Sequence, residues 1–217
     1  MKRDCIFLLA DKNIRATFEG FFSRQGFHHS IGCGSIEIDL MRDLIVAAGD
    51  NDPGIFTRAH ELLGPFLSTH RHAVVVLDAQ WDGSPGAAGI RTHIESLLFA
   101  NGWGTKQCAV IVIEPELENW IWQRSIHVAR GIGFDSIENM FTDADLQRAW
   151  PDGQYKPSYP KETLEAILRK NRIPRSSAIY KNITAQVSVS DCCDSAFLQL
   201  AGKLREWFPL DSGDVAF

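Results

Sequence analysis

The chain has little of what several protein classes require. Its longest apolar runs, residues 73–77 and 108–113, fall far short of the ~20 residues that cross a bilayer as a helix, so no membrane partner is expected. Cysteine is sparse and scattered, at Cys5, Cys33, Cys108, Cys192 and Cys193, with no CxxC pair and no Cys/His ligand spacing. That pattern suits a reducing compartment and argues against structural zinc. The opening Met1, Lys2, Arg3 and Asp4 lead into a short apolar run without the long core or small-residue cleavage site of a secretory signal, and a cytoplasmic protein is expected. Basic charge is not in excess: 22 Lys and Arg face 27 Asp and Glu, a net charge of −5. No repeat or low-complexity tract interrupts the chain. The glycines at Gly83, Gly86 and Gly89 lack the Gly-Lys-Ser/Thr ending of a phosphate loop and read as a flexible connection.

What remains is globular. With 45% hydrophobic and 23% charged residues, 217 residues bury a core without a disulfide or metal staple. Residues 5–10 form a continuous apolar run, the mark of a strand covered on both faces, and end at Asp11. Ile14, Phe18, Phe21 and Phe22 then recur at helical spacing over 14–24. Residues 36–40 and 43–47 read as one strand or two edge strands, and 55–67 as a helix. The β-branched run 72–77 predicts a central strand ending at Asp78. Residues 90–100 predict a helix, 108–113 another buried strand, and 116–123 a short helix. Alternation of this kind implies an α/β fold with a doubly wound, largely parallel sheet. Past residue 125 the composition turns aromatic and polar, with loops around Trp150 to Gly153 and 156–160, then amphipathic helices over 161–170, 176–186 and 193–207. The reading is a core over 1–124, a helical extension packed on it over 125–217, and a loosely held tail over 211–217.

The acidic residues fall where ligands bind in such sheets, just past the carboxyl ends of the strands. The first strand supplies Asp11, the central one Asp78 with Asp82 four residues on, and the later one Glu114, Glu116 and Glu118. Carboxylates gathered at one sheet edge repel one another unless a cation offsets them. Acids without His or Cys beside them select a hard ion, Mg²⁺ or Mn²⁺, which takes one or two carboxylates plus waters and phosphate oxygens. Asp78, Asp82, Glu116 and Glu118 are the expected metal ligands. Plainer roles compete: Asp11 at a helix start is equally an N-cap, and acids in a first turn, such as Glu116 and Glu118, are favoured by the helix dipole.

These segments carry a resemblance. The strand, acid and helix of residues 6–11, the run Val74 to Asp78 with Asp82 and Gly83 behind it, and residues 110–120 resemble a compact Toprim-type domain. More closely, nearly the full chain is similar to small Toprim-related proteins of bacterial anti-phage gene clusters, including methylation-associated defence systems. The similar stretches are Leu9 to Asn13, the Pro115, Glu116, Leu117, Glu118 and Trp120 segment, Lys156 and Pro157 with Pro160 to Glu162, Pro174 to Ser177 with Tyr180, and Leu204 to Pro209. The resemblance implies Mg²⁺-dependent phosphodiester hydrolysis, with catalytic Asp11, Asp78, Asp82, Glu118 and Lys161. Asp11 stands where that family has a glutamate, and Asp78 is the first acid of its Asp-x-Asp. Residue 80 is Gln, so Asp82 is the substitute for the second acid. The implied partners are DNA or RNA and other subunits of a defence system. The incomplete acid pair also fits a non-catalytic interaction subunit that docks another defence protein.

Other features read more plainly. Lys12 and Lys161 are phosphate-partner candidates. His70 and His72 are spaced to share a strand face, Cys192 and Cys193 to pack at a helix start, and the basic group Arg169, Lys170, Arg172 and Arg175 to form a solvated helix end.

Overall fold

The computed structural model describes residues 2–46 and 51–210. A strand with apolar side chains on both faces is stable only where a sheet is covered twice, and three runs of this kind make the centre of the molecule. They are β1 (Arg3–Leu9), β3 (His70–Asp78) and β4 (Cys108–Ile113), the last buried at every residue. A three-residue edge strand, β2 (Leu44–Val46), completes a sheet in the order β2-β1-β3-β4. All three pairings are parallel, with Leu8 opposite Ile45 on one side and Val75 on the other. The fold is thus an α/β fold with a four-stranded parallel sheet.

The chain leaves β1 in one direction, to β2, then crosses back to β3 and on to β4. Between these strands lie α1 (Lys12–Phe22), α2 (Phe27–Ile31), α3 (Asp52–Leu63) with a 3₁₀ turn at Gly64–Phe66, and α4 (Gly86–Ala100). With right-handed crossovers, the reversal places α1 on one face and α3 and α4 on the other, where these two pack together. Phe18 and Phe22 of α1 sit on Phe7 of β1 with ring centroids 5.6 and 5.1 Å apart. The reversal falls between the carboxyl ends of β1 and β3, the switch point at which such sheets place their ligand crevice.

After β4 the described residues form seven helices: α5 (Glu118–Ile121), α6 (Ile126–Gly131), α7 (Ile137–Thr142), α8 (Ala144–Ala149), α9 (Pro160–Lys170), α10 (Ser177–Thr184) and α11 (Ser195–Trp207). Helix α10 lies along α1 and α11 against β4, and their apolar stripes join the same continuous core as the sheet. Buried polar groups tie the two parts. The Asp194 carboxylate caps α11 through the Ala196 and Phe197 amides and accepts from Trp120 Nε1 at 2.8 Å and Asn119 Nδ2 at 2.7 Å. Buried Trp122 donates Nε1 to the Pro160 carbonyl at 2.8 Å.

The contact between α1 and α10 depends on one glycine. A Cβ on Gly20 would fall inside the van der Waals envelope of the Lys181 carbonyl and Thr184 Oγ1, and Thr184 Oγ1 already donates to the Thr17 carbonyl at 2.9 Å. Gly20→Ala is therefore expected to cost about 1–3 kcal/mol through overpacking, measured by urea denaturation, although alanine is the better helix former.

Several expectations change. Residues 36–40 form no strand: Ile36 and Ile38 pack on the core without a ladder. The Gly-rich connection is shorter than expected, because α4 begins at Gly86. The helix expected over 116–123 is a single turn at Glu118–Ile121, and the stretch read as turns after residue 125 holds α6, α7 and α8. Residue 47 and the tail over 211–217 lie outside the described residues.

Candidate functional site

The crevice is built from four strand ends. β3 finishes at Asp78, whose amide donates to Asp52 Oδ1 at 2.8 Å. Asp52 opens α3, the helix that follows β2. The carboxyl end of β1 supplies Asp11, and that of β4 supplies Glu116 and Glu118. The residue at the centre is Asp78. Its Oδ1 is sealed from solvent and has no hydrogen-bond partner. Desolvation pushes its pKa well above the usual carboxylate range, and repulsion from Asp52, Glu118, Asp11 and Glu116 adds to the shift. Four of the expected acids, Asp11, Asp78, Glu116 and Glu118, thus share one electrostatic site.

The other acids are differently engaged. Asp52 is raised chiefly by burial, with Asp11 adding repulsion and the Asp78 amide and Lys161 opposing it. Glu116 is raised by burial and by Glu118, against the charge of Lys161. Lys161 approaches on the first turn of α9: its amide donates to Glu116 Oε1 at 3.1 Å, and its Nζ stands 3.7 Å from Glu116 Oε2. Asp11 caps α1, its Oδ1 accepting from the Asn13 and Ile14 amides at 2.7 and 2.8 Å. Glu118 is buried, 3% exposed, and its Oε1 accepts from Tyr180 Oη at 2.5 Å and Arg175 Nη2 at 2.6 Å. Burial and the Glu118 charge together push the Tyr180 phenol upward.

Asp82 is exposed in the loop before α4, and the charges that weigh most on Asp78 come from the other strand ends. Among the described residues no three His, Cys, Asp or Glu side chains converge as a ready-made metal-ligand set. Asp52 is the residue the sequence reading missed. The strand pattern does not reveal it, because β2 is short and the apolar stripe of α3 begins only at Ile55, yet Asn51, Asp52, Pro53 and Gly54 form a helix-start signature, with Pro in the first turn.

Other features singled out in the sequence are held by neighbours in the fold. His70 and Asp43 are 3.2 Å apart, with Arg3 paired to the same carboxylate. His72 stacks on Trp207 at 4.3 Å. Lys170 bonds Asp143 and Asp145 at 2.6 and 2.7 Å, and Arg175 bridges Glu118 and Glu165, so two members of the basic group are tied into the fold. Comparison of the chain with protein-family models, with curated proteins and with solved structures gives no match.

Proposed function

We propose that the crevice between β1 and β3 binds a divalent cation, Mg²⁺ or Mn²⁺, and hydrolyses phosphodiesters, the chain acting as a Toprim-like nuclease component of a bacterial anti-phage defence system. The single observation that carries this reading is the partnerless, buried Asp78 oxygen among four other carboxylates. A carboxyl group so placed takes up either a proton or a cation. The donor set fits a hard ion: all oxygens, with Asp78 and Asp52 foremost and Glu116 beside them. A ready-made set of three acids is not required, since Mg²⁺ fills its remaining positions with water and phosphate oxygens. Once bound, such an ion neutralises a scissile phosphate and lowers the pKa of an attacking water. The chain's own contribution is positional. The Asp78 amide orients Asp52, Lys161 sets a positive charge on the rim next to Glu116, and Asp11 fixes the start of α1. DNA and RNA are the substrates this chemistry would serve.

The test is cleavage of plasmid and single-stranded oligonucleotides with Mg²⁺, with Mn²⁺ and with chelator. Asp78→Ala is expected to remove activity by more than the roughly 10–100-fold that outer-shell partners cost in metal sites. Unchanged cleavage would exclude this site. In parallel, Mg²⁺ at about 100 times its Kd should stabilise the wild type by roughly 2.7 kcal/mol.

A second reading is favoured by the engagement of Asp11 with the α1 amides and of Glu118 with Tyr180 and Arg175. On this reading the chain is a non-catalytic subunit that docks another defence protein. Absence of Mg²⁺ or Mn²⁺ binding by calorimetry, together with co-purification of a defence subunit, selects it.

A further inference from the structure

A second concave site lies away from the acids, where α1, α10 and α11 meet below Trp120. It is a narrow cleft of about 40 Å³, walled by Phe18, Phe21, Trp120, Phe197 and Leu200. An apolar cavity that takes one benzene measures ~150 Å³, so this cleft is too small for a ring and admits only the end of an unbranched alkyl tail. Its wall contains one full charge, the guanidinium of Arg24.

Arg24 has cationic capacity left over. Its Nε donates to the Thr184 carbonyl at 2.9 Å and its Nη2 donates to the same oxygen, while the guanidinium lies 5.2 Å from the Phe21 ring centroid. Those contacts use the group as a clamp on the end of α10 and, among the described residues, leave Nη1 without a protein partner. No carboxylate among the described residues pairs with it, and burial alone lowers its pKa. A guanidinium is a fork of five donors that matches a carboxylate, and Arg24, half-buried on the cleft wall, keeps donors that an anion would meet there. Gln123 and Cys192 belong also to the wall of a wider, polar cleft of about 880 Å³, which gives a ligand a wet route in.

We infer that this cleft binds a short, unbranched acyl carboxylate, the alkyl tail lying between Phe18, Phe21, Trp120, Phe197 and Leu200 and the carboxylate meeting Arg24. The site is independent of the acidic crevice, because it needs neither a metal nor any of Asp11, Asp52 or Asp78.

The test titrates the full chain with hexanoate and with 1-hexanol, its neutral counterpart of similar length, by calorimetry and by chemical-shift changes in NMR spectra. Hexanoate should bind saturably at millimolar concentrations and about tenfold or more tightly than hexanol, the margin of a charge-assisted hydrogen bond. Arg24→Gln should erase that margin, and Val189→Phe, which fills the cleft from its wall, should weaken both probes while circular dichroism stays native. Equal binding of the two probes by the wild type, absence of saturable hexanoate binding, or hexanoate affinity untouched by Val189→Phe would each overturn the assignment. The first two outcomes use unaltered protein, so the assignment can fail even where Arg24→Gln does not fold.

Discussion

In buffer free of divalent ions at pH 8, Asp78→Asn is expected to unfold at a higher urea concentration than the wild type, by about 1–3 kcal/mol, the range for a buried polar group whose desolvation is uncompensated. The sign follows from linkage. Asp78 has a native pKa well above its unfolded value, because of desolvation and then repulsion from Asp52, Glu118, Asp11 and Glu116. Between those two pKa values the native state holds more protons than the unfolded one, so wild-type stability falls as pH rises through that window. Asparagine carries no such loss. The advantage of the variant should therefore shrink as pH drops toward the ordinary carboxylate range and be greatest above the native pKa. Asp52 and Glu116 are raised by burial too, so the variant retains part of this slope even without Asp78. A gain in stability joined to a loss of Mg²⁺-dependent cleavage is the signature of a group kept for function at the expense of the fold. A variant less stable than wild type at pH 8 would show that the Asp78 carboxyl is no burden, and would remove the observation on which the metal reading stands.

The second large effect lies at Arg175. Its removal leaves the buried Glu118 carboxylate with Tyr180 as its remaining side-chain donor. Breaking one side of a buried ion pair costs ~3–5 kcal/mol. The Arg175 side chain is 34% exposed, and solvent screening brings the expected loss for Arg175→Ala to about 2–3 kcal/mol. The double variant Glu118→Gln with Arg175→Ala should recover most of that loss, because an amide needs no counter-charge. Urea denaturation of both single variants and the double variant gives the coupling energy directly. Additive losses would mean that Arg175 stabilises through Glu165 or through packing and not through Glu118.

The legibility of the fold follows burial. β1, β3 and β4 announce themselves because sheets covered on both faces demand unbroken apolar runs, and α9, α10 and α11 because a helix lying on a core needs a stripe at 3.6-residue spacing. β2 was visible only as an ambiguity, since three residues at an edge carry too little pattern to separate Leu44–Val46 from the non-strand residues 36–40. Helices α6, α7 and α8 escaped for a related reason. Each has six residues, below two turns, although their caps Ser125, Ser136 and Asp143 stood in plain view and bind the expected amides.

The linear chain located most of the carboxylates at the strand ends, by the rule that polar residues follow buried strands. It could not rank those acids. Strand order brought Asp52, an acid with no motif around it, to the Asp78 amide, and helix packing delivered Arg175 and Tyr180 to Glu118 from 57 and 62 residues away. Packing also left Asp82 in solvent and one Asp78 oxygen with no partner. Periodicity is local and survives in sequence, whereas the desolvation and pairing of a carboxylate depend on which distant segments close over it, and that is fixed only when the sheet and its helices assemble.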